Sequence, residues 1–245
     1  MADPDDLAVQ GRSEGAVEGG GSVDVVESIA DLYGAPSARG WIHVVAAIFA
    51  VIGGAALIEV AWTRSESPLA GWAALVYVAA IVAMFSVSAT YHRVRWTSPA
   101  AHKWMMRADH SLIFVFIAAC YTPLAVLAMP PQVGTEVLII VWSGAAAGVA
   151  LKLLWPSAPR WVGVPLYLLL GYVAVWFAET LLDGAGVTVV ALLIAGAVLY
   201  NLGAICYGTR WPNPWPNHFG HHEVFHAFTA AAAVCHFAAI WLVIR

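Results

Sequence analysis

The sequence predicts an all-α membrane protein, a bundle of seven transmembrane helices with its N-terminus cytoplasmic and its C-terminus outside. Three observations predict it. The 245 residues are 61% hydrophobic and only 11% charged, with a mean hydropathy of +0.78, whereas a soluble domain averages roughly 25% charged residues. Seven apolar runs have the length of about 20 residues that a helix needs to cross a bilayer. Short polar stretches rich in Pro, Gly and Arg separate the runs. No soluble catalytic domain is left over, and nothing in the composition points to a nucleic-acid partner.

The first 40 residues differ from the rest. They hold eight of the 15 acids and the run Gly19–Gly21. Residues 1–22 read as a disordered acidic tail. Residues 23–40 read as an interfacial segment, in which Val25, Val26, Ile29, Leu32 and Tyr33 could form a short helix before Gly34-Ala35-Pro36. The acidic, polar start predicts no cleavable signal peptide. The transmembrane domain then covers 41–245, with spans over 41–62, 69–92, 109–129, 135–154, 162–182, 187–207 and 222–244. The breaks fall at Arg64–Pro68, Arg93–Arg107, Pro130-Pro131, Pro156–Arg160, Asp183-Gly184 and Trp211–Pro216.

Nine of the 11 basic residues fall in the tail and in the second, fourth and sixth loops, and only Arg64 and Arg245 fall on the other side. That asymmetry sets the orientation. Trp41, Trp62, Trp155, Trp161 and Trp241 sit near span ends, as an aromatic belt would. Cys120, Cys206 and Cys235 are scattered within spans and point to packing, not to a disulfide framework. Gly144 and Gly148 form a small-xxx-small pair suited to close helix contact.

On this topology the ionisable residues converge. His92 ends the second span, with Ser88 one turn before it on the same face; Asp109 and His110 begin the third; His222 and His226 begin the seventh. Every one of these ends is predicted to be cytoplasmic, as is the start of the first span with His43. Imidazoles four residues apart share a helix face, and H-E-x-x-H is a zinc-binding pattern. Three histidines with an open fourth position make a catalytic zinc site, so His92, His222 and His226 are the candidate ligands. Asp109 is the candidate general base or supporting carboxylate. Ser88 is the candidate hydrogen-bond partner of the water or of a substrate oxygen. Zinc lowers the pKa of its water and polarises a carbonyl, which suits hydrolysis of an amide or ester drawn from membrane lipids.

Taken singly, each residue has an ordinary reading. His92 could be an interfacial histidine, Asp109 an N-cap or first-turn acid, Ser88 a packing residue and Glu223 a first-turn acid. Their arrival at one face of the membrane from three helices favours the metal. His218 is left out of the site, because Pro216 and Gly220 favour a helix starting after it. His236, about 15 Å of helix rise beyond His226, reads as a packed polar residue near the opposite side. Pro123 in Tyr121-Thr122-Pro123 removes a backbone hydrogen bond from the third span and is read as shaping packing.

Ser88-Ala89-Thr90-Tyr91-His92, then Asp109-His110-Ser111 running to Tyr121-Thr122-Pro123, then His222-Glu223-Val224-Phe225-His226 resemble the hemolysin III family. That family is grouped with the progestin and adipoQ receptors, which include the adiponectin receptors. The resemblance runs from about Val23 to the C-terminus. It implies seven helices, a cytoplasmic N-terminus and a zinc ion near the cytoplasmic side. The family's ligands carry over to His92, His222 and His226, and its Ser and Asp to Ser88 and Asp109. Members have been linked to ceramidase-like amide hydrolysis, and bacterial ones to haemolysis. The long acidic tail departs from the family pattern.

The expected function is a multi-pass plasma-membrane protein that binds Zn2+ and hydrolyses a lipid amide or ester. The alternatives are a pore-forming or membrane-perturbing haemolysin and a non-catalytic, receptor-like protein. Against a pore, the spans lack a polar stripe across the bilayer. An intramembrane metalloprotease built on H-E-x-x-H and Leu182-Asp183-Gly184 is rejected, because Asp183 ends the fifth span a membrane thickness from His222.

Overall fold

Apolar runs of this length can cross a bilayer only with every backbone N–H and C=O satisfied within the segment, which dictates helices. The computed structural model describes residues 36–155, 158 and 160–245, with the side chains of residues 160 and 161 outside the description. The tail 1–22 and the expected helix before residue 36 lie outside the described residues. The described chain forms α1 (Trp41–Thr63), α2 (Leu69–Arg93), α3 (Pro99–Leu127), α4 (Pro131–Leu154), α5 (Arg160–Gly171), α6 (Val173–Trp176), α7 (Ala178–Thr209) and α8 (His221–Ile244), with no strand among the described residues. Six of these helices are long and apolar enough to cross a membrane, and residues 162–176 add a shorter apolar segment.

Local chemistry sets the ends. The Ser98 hydroxyl accepts from the Ala101 N–H at 3.3 Å, and Pro99 occupies the first turn of α3, where its missing N–H costs nothing. The helix therefore begins well before the apolar span, and Asp109 lies inside it. The N-cap and first-turn readings of Asp109 do not apply. Pro131 opens α4 in the same way.

The fifth segment departs from the expected uninterrupted run over 162–182. It breaks at Tyr172 and Phe177, which lie between α5, α6 and α7. Gly186, at φ 82° and ψ 166°, then interrupts α7, two residues past the expected Asp183-Gly184 break. Contacts trace the path. Gly163 faces Lys152, Leu170 faces Gly144, and Gly184 packs on the Ala128 carbonyl beyond the end of α3. The Tyr121 hydroxyl accepts from the Ala174 N–H at 2.8 Å and lies 3.3 Å from the Leu170 carbonyl, so one side chain of α3 serves backbone groups freed by the break.

Without a hydrophobic drive between helices in lipid, close packing of small residues joins them. Ala70, Ala73 and Ala74 of α2, Ala118 and Ala119 of α3, and Ala232 and Ala233 of α8 are buried. The Gly144–Gly148 pair serves such contact: a Cβ at Gly148 would stand 2.4 Å from Phe114, and one at Gly144 would stand 2.8 Å from Leu170. One core joins α1, α2, α3 and α8, and a second joins α3, α4, α5, α7 and α8. Phe49, Ile52, Ile139 and Ile194 face outward, as lipid-facing residues do. Trp41, Trp62 and Trp155 stand half-exposed at helix ends, whereas Trp241 packs against the first core. Among the described cysteines, none is in a disulfide.

Candidate metal centre

The centre lies where α1 and α8 begin, α2 ends and the second and third turns of α3 pass. His92 arrives from the last turn of α2, and His222 and His226 from consecutive turns of α8. One ring nitrogen of each lies within 4.8 Å of the others, and the Nε2 atoms of His92 and His222 are 3.3 Å apart. Two nitrogens held by one tetrahedral zinc at about 2.0–2.1 Å stand roughly 3.3 Å apart. The three rings meet at centroid distances of 4.6–4.9 Å and steep angles, so nitrogen faces nitrogen without ring stacking. One nitrogen from each of three imidazoles at this spacing could hold a metal ion. The donor set therefore fits a divalent metal such as zinc.

Asp109 and Ser88 adjoin the triad. The Asp109 carboxylate reaches to 4.0 Å from His92 Nε2, and the Ser88 hydroxyl faces that carboxylate. Ser88 is buried and its Oγ lies 2.8 Å from His43 Nδ1. His43 in turn lies flat on His226, with centroids 3.8 Å apart and 6° between the planes. The five predicted site residues therefore share one locality. His110 lends its backbone carbonyl to the Tyr167 hydroxyl at 3.0 Å. His218 stays outside α8 and lies 3.0 Å from the Ser37 hydroxyl.

Glu223, the acid inside the H-E-x-x-H pattern, faces elsewhere. It is 1% exposed and forms an ion pair with Arg39, while its second oxygen accepts from the Gly220 N–H at 2.8 Å. Its role is to cap α8 and anchor the segment before α1. That segment is held further by Ser37 and Ala38 N–H groups bonding to the Asn217 and His218 carbonyls. Gly40, at φ 79°, lets α1 start against the site, since a Cβ there would stand 2.9 Å from His92 Cβ.

Sequence reasoning does not single out Arg39, and it places His43 on the correct side without a role. The only signal for either was position, just before and just inside the first span. Asp183 belongs to the opposite end, because its neighbour Gly184 packs on Ala128, about 28 Å of helix rise from Asp109. The geometry upholds rejection of a protease pairing Asp183 with His222.

The family model described as Haemolysin-III related matches residues 33–237. Among curated proteins, the chain is 31% identical over 132 residues to "Hemolysin-3 homolog" of Bacillus subtilis (strain 168), covering 53% of this chain and 58% of that one. It is 24% identical over 162 residues to "Hemolysin-3" of Bacillus cereus, covering 66% and 70%. It is 27% identical over 172 residues to "Monocyte to macrophage differentiation factor" of Homo sapiens, covering 69% and 68%. The match to the Bacillus subtilis protein thus spans less than two thirds of that relative's length.

Proposed function

The chain belongs to the haemolysin-III related family, and on that premise we propose that it is a zinc-dependent hydrolase of a lipid amide or ester. It would sit in the plasma membrane through seven crossings, with the histidine triad at the cytoplasmic face. The seventh crossing in this reading is the broken segment from Gly163 to Gly184, whose contacts run from the Lys152 end of the bundle to the Ala128 end. The observation that carries the function is the convergence of His92, His222 and His226 within 4.8 Å, with Asp109 beside them.

His92, His222 and His226 would hold the zinc ion, which when bound would supply Lewis acidity towards a substrate carbonyl and towards water. Asp109 would take a proton from the attacking water as the water oxygen bonds to the carbonyl carbon, and return it to the leaving nitrogen or oxygen as the C–N or C–O bond breaks. Ser88, fixed through His43, hydrogen-bonds the Asp109 carboxyl or the substrate oxygen. Glu223 stays out of the chemistry, since both its oxygens are engaged. The helices turn apolar side chains such as Phe49 and Ile52 outward, the surface from which a lipid substrate would approach.

The test is a fatty-acid release screen over lipid amides and esters with purified wild-type protein, Asp109→Ala and His226→Ala. The proposal expects release by the wild type, loss of release with metal retained in Asp109→Ala, and loss of both in His226→Ala. Absence of metal-dependent release, together with liposome leakage that persists in His226→Ala, would overturn the hydrolase in favour of a membrane-perturbing protein.

A further inference from the structure

A second set of polar groups lies deeper in the bundle, apart from the histidine triad. His236 is ten residues beyond His226 on α8, about 15 Å of rise. Its ring points at Gly196 of α7, where a Cβ would stand 2.5 Å from Nε2. The same ring meets Tyr200, one turn further along α7, edge-on at 5.4 Å and 76°. Tyr77 of α2 is fully buried, in one core with Cys120 of α3, and Tyr200 packs against that core. Phe116 and Phe237 flank the Tyr77 ring at 6.2 and 6.3 Å.

Both ring nitrogens of His236 and the hydroxyls of Tyr77 and Tyr200 are buried without a hydrogen-bond partner. The Leu193 backbone faces the imidazole without closing a bond to either nitrogen. Four unpaired polar atoms from three helices are costly in a region remote from bulk water, and buried polar groups in native proteins are as a rule paired. An ionisable side chain so deep in a membrane bundle marks a functional position. Phenols and a neutral imidazole carry no formal charge, so the cluster suits an uncharged complement. Phenols donate and accept, and a neutral imidazole does one of each at its two nitrogens. A hydroxyl is the smallest neutral group that answers both.

We propose that Tyr77, Tyr200 and His236 form an internal binding site for a hydroxyl group, supplied by trapped water or by an apolar molecule carrying one hydroxyl. Gly196 makes the room for His236, and Phe116 and Phe237 flank the Tyr77 ring. The site is independent of the hydrolase reading.

The test uses thermal unfolding of the full chain in lipid nanodiscs, with wild type, Tyr77→Phe, Tyr200→Phe and the double variant, each checked for metal content. The substitutions are nearly isosteric. If the hydroxyls are satisfied by a bound group, removing them lowers Tm by several degrees and leaves metal content unchanged. If the site is dry and empty, removing orphan hydroxyls leaves Tm unchanged or raises it, and the proposal is overturned. The source is read with 1-dodecanol against dodecane. A Tm increase with 1-dodecanol alone, lost in the double variant, assigns the hydroxyl to an apolar ligand. A drop in the Phe variants without any 1-dodecanol effect assigns it to water.

Discussion

His43 lies face to face with His226, 3.8 Å between centroids, while its Nδ1 is 2.8 Å from the Ser88 hydroxyl. One side chain of α1 therefore contacts both a triad histidine of α8 and the hydroxyl of α2. Groups that orient ligands in this way change metal affinity by about 10–100-fold when removed. His43→Ala is expected to weaken zinc binding by about that factor. His43→Phe, which retains a ring on His226 but not the bond to Ser88, should fall between the two. Chelator competition on the purified variants measures this, and equal affinities in all three proteins would remove His43 from the site.

Arg39 and Glu223 form a buried ion pair, with side chains 12% and 1% exposed. Removing one partner of such a pair costs about 3–5 kcal/mol, because the other is left charged and buried. Arg39→Ala is therefore expected to lower Tm sharply. Glu223→Gln should be milder, since the amide oxygen can still accept from the Gly220 N–H. Thermal unfolding reads both, alongside turnover. Abolished turnover in Glu223→Gln at unchanged Tm and metal content would make Glu223 the base in place of Asp109.

Tyr121 supports the broken fifth segment through the Ala174 N–H. Tyr121→Phe leaves that donor and the nearby carbonyls unpaired, at a cost of about 1–3 kcal/mol. The expected result is a lower Tm with zinc content intact. An unchanged Tm would show that the break is supported by other contacts.

What was legible in the sequence follows physical range. The i,i+4 spacing of His222 and His226 fixes their shared face, and the alternation of spans brings His92 and Asp109 to the same end. Both are consequences of helix geometry and hydropathy alone. The pairing of Arg39 with Glu223 spans most of the chain and has no periodicity to announce it. Hydropathy treated 162–182 as one helix because Tyr172 and Phe177, where the backbone departs from the helix, are themselves apolar. The start of α3 was missed for the opposite reason. Ser98 and Pro99 open the helix before the apolar run begins, and that is why Asp109, read as a first-turn acid or a catalytic one, lies inside the helix. His236 looked like a packed polar residue, and its two unpaired nitrogens become visible only with Gly196 and Tyr200 around it.

The central claim is that His92, His222 and His226 hold one zinc ion. Its most direct test is the metal-to-protein ratio of purified wild type, His92→Ala, His222→Ala and His226→Ala by elemental analysis. A three-histidine site predicts about one zinc per chain in the wild type and loss of zinc in each variant. A wild type purified without zinc that takes none up on addition, or a His226→Ala variant that keeps its full complement, would contradict the account.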